Sequence, residues 1–312
     1  MKRNIYSYSK LWIIFFVLMG AACTNQVEDV IPVSGQPIEF SVQSDWKEIP
    51  NTRSNAGKPH FGNGNPIQIF GFHKSSSDGV EKVQFMYRVG EPARGQIVTF
   101  DSIYNKWNYS PKRFWPKKGT LDFYAGYPEY SVLYDKDNPN DKDNHRMTYE
   151  QTVNPLQLDL LWGVSTLDCA TGPKDVSITM KHALAKVNIK FDNSLDKVKQ
   201  AKVSAYKIGY FYPTIADSIP DWKVVSDSIQ TAFVPSSKNQ ERIFDATVFI
   251  LPDKIKELKL IKLDGSEINV SDQIQKYTFK AGKVYNLTIS KGVRKKNTNS
   301  RSIAMSVRCV SE

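Results

Sequence analysis

Short apolar runs separated by turn residues are the feature that most constrains the fold of this chain. Many of the runs alternate apolar and polar residues, and Gly, Pro, Asn, Asp or Ser bound most of them. Alternation puts every second side chain on one face of a strand, whereas long stretches of helical periodicity are hard to find. The pattern predicts an all-β protein with the strands arranged in sandwiches or barrels, and the aromatic content of 12% and the 16 prolines agree with it.

The predicted strands fall into two sets. The first set is Ile38–Val42, Ile67–Phe72, Val83–Val89, Ile97–Phe100, Trp107–Tyr109, Leu121–Tyr127 and Leu158–Val164. The second set is Val176–Met180, Lys186–Phe191, Lys202–Tyr212, Phe244–Leu251, Leu258–Leu263 and Val284–Ile289. Residues 165–174 are rich in Gly, Pro, Thr and Ser, so we predict two tandem β-sandwiches, 36–170 and 171–290. Short helical turns are predicted at Ser194–Ala201 and Ser271–Gln275.

The first 22 residues have the pattern of a secretory signal. Positive residues precede the apolar run Leu11–Met19, which is shorter than the roughly 20 apolar residues of a membrane-spanning helix. Small residues, Gly20–Ala22, then precede Cys23, and this pattern resembles a bacterial lipobox with glycine in the usual leucine position. We therefore expect a signal peptide over 1–22, a lipid on Cys23 and a tether over 23–35. A plain signal peptide with an incidental cysteine is the alternative.

Charge and motif content argue against nucleic-acid binding and catalysis. The formal net charge is +10, three of these charges lie in the signal, and Arg294–Lys296 is the one basic run. The four histidines form no His-Glu-x-x-His pair, and none lies near a Gly-x-Ser-x-Gly elbow. His182 is expected to be a core or hydrogen-bonded histidine. The sequence thus predicts no nucleic-acid partner, enzymatic activity, metal site or cofactor. No pattern in it singles out two carboxylates as a catalytic acid and base.

Two cysteines remain once Cys23 is assigned to lipid. An oxidising compartment allows Cys169 and Cys309 to pair, and two separate buried thiols are the alternative. The sequence leaves both arrangements open.

Two blocks of motifs carry a family resemblance. Phe114-Trp115-Pro116 and the following Leu121–Pro128 form the first block, and Asp159–Gly163 with Val176–Val187, which includes His-Ala-Leu-Ala, form the second. In this order, with the lipobox and Thr52-Arg53, the chain resembles the fimbrillin family, the Mfa-like type V pilus subunits of Bacteroides-type bacteria. The resemblance reaches about Ser290.

The resemblance implies a fold and an assembly mechanism. The resemblance implies that such pilins fold into two tandem transthyretin-like β-sandwiches. They are exported as lipoproteins and are then cut by a trypsin-like surface protease after an arginine in the N-terminal region. The cut removes the first strand with the anchor, and a strand of another subunit fills the groove by β-strand addition. In this chain Ile38, Phe40 and Val42 form the candidate removable strand, and Arg53 is the candidate cleavage site. The alternative is a permanent edge strand and an uncut loop arginine.

The C-terminal residues 291–312 are predicted to be a connector followed by an apolar strand. Ile303, Met305, Val307 and Cys309 share one face of an extended segment. This segment is a candidate exchangeable strand for a partner's groove, and the alternative is that it folds back onto its own second sandwich.

Three Asp-Ser-Ile sequences resemble the O-glycosylation acceptor used in the same bacteria. The candidate acceptors are Ser102, Ser218 and Ser228.

The resulting prediction is a structural fimbrial subunit at the cell surface. Its expected partners are other pilin subunits, the outer membrane through the lipid, a trypsin-like protease and a host or bacterial receptor. The alternative is a non-polymerising surface lipoprotein that binds a glycan or protein ligand through exposed aromatic residues such as Trp46, Trp107 or Trp222.

Overall fold

The structure is a computed structural model. It divides into a unit of residues 1–33 and a unit of residues 34–312. The description covers residues 33–44, 66–75, 83–129, 132–134, 145–150, 159–192, 195, 198–213, 220–225, 228–235, 246–291 and 305–311.

The prediction of an all-β protein is confirmed. The first twelve strands are β1 (Val33–Pro37), β2 (Phe40–Ser44), β3 (Ile67–Lys74), β4 (Val83–Met86), β5 (Gln96–Asp101), β6 (Lys106–Asn108), β7 (Phe114–Pro116), β8 (Thr120–Tyr127), β9 (Val132–Tyr134), β10 (His145–Glu150), β11 (Leu161–Asp168) and β12 (Val176–His182).

A 3₁₀ turn at Cys169–Thr171 lies between β11 and β12. The elements that follow β12 in the described residues are ten strands and one short α-helix, α1. They are β13 (Ala185–Phe191), β14 (Val198–Tyr206), β15 (Ile208–Phe211), β16 (Lys223–Val224), β17 (Ile229–Pro235), β18 (Ala246–Ile250), β19 (Glu257–Lys262), β20 (Glu267–Asn269), α1 (Ser271–Ile274), β21 (Val284–Lys291) and β22 (Met305–Ser311). The predicted turn at Ser271–Gln275 is thus confirmed. The one at Ser194–Ala201 is confirmed at Leu195, which lies in a 3₁₀ turn, and is wrong over its last four residues, which begin β14.

The largest sheet has the order β2-β12-β11-β8-β3-β5-β6, with β4 also paired to β3. All its pairs are antiparallel except that β2 lies parallel to β12. β2 is therefore the edge strand at one end of this order. A separate two-stranded pairing joins β1 to β7.

This sheet buries apolar side chains on both of its faces. On β8, Leu121, Phe123 and Ala125 face the first apolar cluster, which also receives Ile38, Phe40 and Val42. Tyr124 faces the opposite way, into a third cluster. Burial on both faces explains why the predicted strand Leu121–Tyr127 reads as a nearly continuous apolar run.

The second half of the chain forms two four-stranded sheets, β18-β13-β21-β22 and β17-β14-β19-β20. Alternate residues of both sheets fill the second apolar cluster, for example Val187 and Ile189 from β13, and Val203 from β14. In the first of these sheets β13 lies parallel to β21, and β22 pairs antiparallel with β21.

The two halves share a small sheet and the third cluster. The small sheet has the order β16-β15-β10-β9, so a hairpin of the first half pairs with strands of the second. The third cluster packs Trp162 of β11 against Phe211 of β15, with their ring centroids 5.4 Å apart. Trp222 adds its ring to Phe211 and donates its indole N–H to the carbonyl of Ala183 at 2.7 Å.

The boundary between the first and second apolar clusters lies near the start of β13. β12 follows the predicted boundary at residue 170 and belongs to the first sheet, and its residues Val176, Ile178 and Met180 fill the first cluster. The second cluster begins at Ala185. The division into two transthyretin-like sandwiches stays a prediction.

Cys169 and Cys309 are free thiols. Cys169 is buried in the first cluster, and Cys309 is half-buried against the second. Burial raises the pKa of Cys169 to about 11, so this thiol is protonated and poorly nucleophilic near neutral pH. Of the two arrangements that the sequence leaves open, the structure has the separate thiols.

The outer face of β14, β19 and β20 carries a ladder of charges. Glu257 lies 2.8 Å from Lys259 and 3.0 Å from Lys202, and Lys259 also lies 3.3 Å from Glu267. Hydrogen bonds from Lys259 and then Lys202 lower the pKa of Glu257 from 4.5 to about 2.

We expect Glu257 to stabilise the fold fully above its ordinary pKa of 4.5 and to lose this contribution as the pH falls towards about 2. Because the ladder faces solvent, Glu257→Gln should lower the free energy of unfolding by about 1 kcal/mol or less at neutral pH, and by less still in acid. Denaturant unfolding at neutral pH and at about pH 3 measures this. Glu91→Gln, which removes longer contacts with Arg88 and Arg94, should change less. A Glu257→Gln loss that does not shrink in acid would contradict the prediction.

Candidate functional site

The candidate site is the edge strand β2 with the elements that hold it. Ile38, Phe40 and Val42 are at most 8% exposed, whereas Ser41 and Gln43 are exposed. The strand therefore presents one apolar face to the first cluster, as its alternation predicts.

β12 holds β2 along its length on one side. The register pairs Val176 with Phe40 and Met180 with Ser44, and the amide of Val176 donates to the carbonyl of Glu39 at 2.8 Å. The ring of Phe40 lies edge-on to the ring of Phe123, with the centroids 5.5 Å apart. The strand is therefore anchored both by main-chain pairing and by aromatic packing.

The loop between β6 and β7 holds the beginning of this segment on its other side. The amide of Ile38 donates to the carbonyl of Arg113 at 2.8 Å, and the Tyr109 hydroxyl donates to the carbonyl of Ile38 at 2.8 Å. Burial raises the pKa of Tyr109 to about 12, so its hydroxyl stays a donor throughout the physiological range. The Lys112 amine lies 3.5 Å from a Glu39 carboxylate oxygen.

A groove of about 430 Å³ lies between β2 and the β5–β6 hairpin. The residues that line it are Glu39, Phe40, Ser41, Val42, Phe100, Asn105, Lys106, Trp107 and Asp175. Its lining carries charges of both signs, from Glu39, Asp175 and Lys106, and contains no histidine or cysteine.

The far end of β2 meets a hydrogen-bonded relay. The Ser44 hydroxyl lies 3.4 Å from His182 Nε2, and His182 Nδ1 lies 2.5 Å from Asp159 Oδ2. His182 is 8% exposed, and its hydrogen bonding confirms the prediction for this residue. Neither Ser44 nor His182 lines the groove. The relay instead connects the end of β2 to Asp159, just before β11.

Sequence reasoning did not bring these three residues together. Asp159 and His182 belong to the two motifs of the second block, and their co-occurrence was the signal available. Ser44 lies far from both in sequence and enters the relay only because β2 runs parallel to β12.

The C-terminal segment forms β22 and pairs with β21 of its own chain, with Cys309 opposite Leu287. Cys309 contacts the second cluster, and Val310, on the other face, is 48% exposed. Ile303 and the side chains of Met305 and Val307 lie outside the described residues.

The other predicted site residues fall into two groups. Cys23, Arg53 and Ser218 lie outside the described residues. Ser102 is exposed at the tip of the β5–β6 hairpin, whereas the Ser228 hydroxyl donates to the carbonyl of Val225 and accepts from the amide of Ile208.

Metal-binding groups and membrane-spanning helices are both absent from the described part of the chain. Its His, Cys, Asp and Glu side chains form no group of three that could hold a metal ion. No helix in the same residues is long and apolar enough to cross a membrane.

The family model of the fimbrillin-like proteins matches residues 52–304. This chain belongs to the fimbrillin-like family. The family assigns it to the fimbrial and adhesion subunits, which act at the cell surface and are structural proteins. Both β2 and β22 lie outside the matched range.

Solved structures share the fold of this fimbrillin-like chain. A candidate cell adhesion protein from Bacteroides uniformis aligns with 16% identity over 88% of this chain and 97% of its own, with a TM-score of 0.55. One from Bacteroides ovatus aligns with 12% identity over 89% and 96%, with a TM-score of 0.53. The tip fimbrial protein Mfa3 from Porphyromonas gingivalis, with a C-terminal truncation, aligns with 10% identity over 79% and 93%, with a lower TM-score of 0.44. A search of curated proteins finds no significant match.

Proposed function

We propose that this fimbrillin-like chain is a fimbrial subunit that polymerises by strand exchange after its N-terminal strand is removed. In this mechanism a lipid on Cys23 holds the subunit at the outer membrane, and a trypsin-like protease cuts after Arg53. The first strand then leaves with the anchor.

The observation that carries the proposal is the position of β2. It is an edge strand, yet Phe40 and Val42, together with Ile38 just before the strand, are buried in the first cluster. Its loss exposes an apolar slot beside β12 and leaves the main-chain groups of β12 without their partners. An extended segment with alternating apolar residues satisfies both needs, which is the physical basis of β-strand addition.

β22 supplies a segment of the required type. It is the last strand of its sheet and has one strand partner, β21, in the described part of the chain. We propose that β22 leaves its own edge and fills the slot of the next subunit.

The test uses the chain from Cys23 onward without lipid, incubated with trypsin at a limiting ratio. The expected result is a single early cut after Arg53, followed by ladders of multimers that persist on an unheated denaturing gel. Arg53→Gln should abolish both the cut and the ladders.

A matched control separates cutting from assembly. Deletion of residues 305–312 should leave the cut at Arg53 intact and abolish the ladders. If the wild-type chain is cut at Arg53 and stays monomeric, or if the deletion variant still forms ladders, the proposed mechanism is wrong.

The alternative of a ligand-binding lipoprotein receives no support from the described tryptophans. Trp107 is 4% exposed in the first cluster, and Trp222 packs against the third cluster with its indole N–H bound to Ala183. Neither forms an open aromatic platform, and Trp46 lies outside the described residues.

For O-glycosylation we propose Ser102 ahead of Ser228. Ser102 lies in an exposed turn in which the Asp101 carboxylate accepts from the amides of Ile103 and Tyr104. A glycan on Ser228 breaks the bond that its hydroxyl donates to Val225, because the glycosidic oxygen has no hydrogen.

A further inference from the structure

Two side chains and one carbonyl of the β6–β7 loop hold Ile38 and Glu39, which precede β2, from the side opposite β12. We call this group, made by Tyr109, Lys112 and Arg113, the clasp. It lies within the chain that remains after a cut at Arg53, whereas the residues that it grips, Ile38 and Glu39, leave with the fragment.

The clasp binds both main-chain groups of Ile38. Its amide donates to the Arg113 carbonyl at 2.8 Å, and its carbonyl accepts from the Tyr109 hydroxyl at 2.8 Å. Tyr109 is 7% exposed, so this hydrogen bond is shielded from water. Pairing to β12 runs through residues 40–44 and the carbonyl of Glu39, so the clasp adds contacts that the sheet does not provide.

Side-chain contacts hold the clasp in place. The ring of Tyr109 lies edge-on to the ring of Phe40, with centroids 5.6 Å apart, and the Lys112 amine lies 4.6 Å from the Tyr109 ring centroid. The guanidinium of Arg113 lies 5.5 Å from the ring of Tyr87. The Tyr109 hydroxyl also accepts from the amide of Arg113 at 3.3 Å, so the hydroxyl is oriented within its own loop.

We propose that the clasp is a retaining device that holds the N-terminal strand after the backbone has been cut and so sets how fast the groove opens. This inference rests on the proposed removal of that strand. Arg53 lies between β2 and β3 in the sequence and is not one of the residues that pair in either strand, so a cut there removes none of the contacts of β2 described above. The fragment therefore dissociates only when β12, β7 and the clasp release it. Opening is therefore a second step that follows proteolysis.

The test measures dissociation in a chain that is cut by design. A site for a sequence-specific protease replaces residues 51–55, so the cut does not depend on the natural protease. The chain begins at Cys23 and ends before β22, so it does not polymerise and lacks Cys309. It carries a fluorophore on Cys23, and Cys169 is replaced by serine. After the cut, an excess of unlabelled peptide of residues 33–46 prevents the released fragment from rebinding. Rapid gel filtration at timed intervals then separates the released labelled fragment from the chain.

Tyr109→Phe is expected to speed release about fivefold to tenfold, because it removes the buried hydrogen bond to the carbonyl of Ile38 and retains the ring. Tyr104→Phe is the matched control, since Tyr104 lies in the neighbouring hairpin and is 72% exposed, and it should leave the rate unchanged. Lys112→Ala should change the rate about twofold or less, because its pair with Glu39 faces solvent. Denaturant below the unfolding transition, at one concentration for all variants, brings slow release into the measurable range.

Equal release rates for Tyr109→Phe and Tyr104→Phe would overturn the proposal. So would faster release that is matched by an equal loss of protection from hydrogen exchange in β13 and β21, because the substitution would then act on the whole fold. The result is independent of polymerisation: if the wild-type subunit fails to assemble and Tyr109→Phe still releases the fragment faster, the proposed function falls and the clasp remains.

Discussion

Replacing Phe40 by alanine is expected to lower the free energy of unfolding of the uncut chain by about 3–5 kcal/mol. Phe40 is 6% exposed and lies edge-on to the rings of Tyr109 and Phe123. Truncation removes apolar contact area and leaves a cavity at the edge of the first cluster, which the rigid neighbouring strands fill only in part. Urea unfolding followed by tryptophan fluorescence measures the loss.

Ser41→Ala is the matched control, because the adjacent side chain of the same strand faces solvent. Its effect should stay within about 0.5 kcal/mol. Equal stability of the two variants would show that β2 contributes little to the core. The same pair also tests strand removal: fibres assembled after the cut no longer contain Phe40, so wild-type and Phe40→Ala fibres should resist denaturant equally.

Removal of the Asp159 carboxylate is expected to cost about 3 kcal/mol of stability, because Asp159→Ala takes the acceptor from a largely buried histidine. Asp159 Oδ2 lies 2.5 Å from His182 Nδ1, and their side chains are 16% and 8% exposed. Asp168→Ala, which removes an exposed cap of the 3₁₀ turn at Cys169–Thr171, should cost only about 1 kcal/mol. Denaturant unfolding of both variants gives the comparison.

A double-mutant cycle isolates the pair. Replacing both Asp159 and His182 by leucine removes both polar groups, so the double variant should be more stable than the sum of the single losses predicts, by about 2 kcal/mol. Strictly additive losses would show that the two side chains do not interact across the short contact.

Most strands were predictable from the sequence because their signal is local. β3, β8 and β13 coincide closely with the runs Ile67–Phe72, Leu121–Tyr127 and Lys186–Phe191. The errors arose where local signals conflict with pairing. Residues 198–201 were expected in a helical turn, yet β14 begins there because it pairs with both β17 and β19.

The candidate site was predictable in part. The alternation of Ile38, Phe40 and Val42 identified the apolar face of the strand, since burial of one face follows from a period of two. The clasp was not predictable, because Tyr109 and Arg113 reach Ile38 across a long stretch of chain. Nothing in the alternation of either segment specifies which loop meets which strand.

The sequence by itself determined the all-β class, the faces that strands bury and the family to which the chain belongs, because these depend on side-chain period and on motifs within short segments. Only the tertiary structure decided the neighbours of each strand. It made β2 an edge strand parallel to β12, joined Ser44 to the Asp159–His182 pair and closed the clasp over Ile38. These contacts depend on the order of strands in a sheet, which is fixed by the packing of the whole core and not by any one segment.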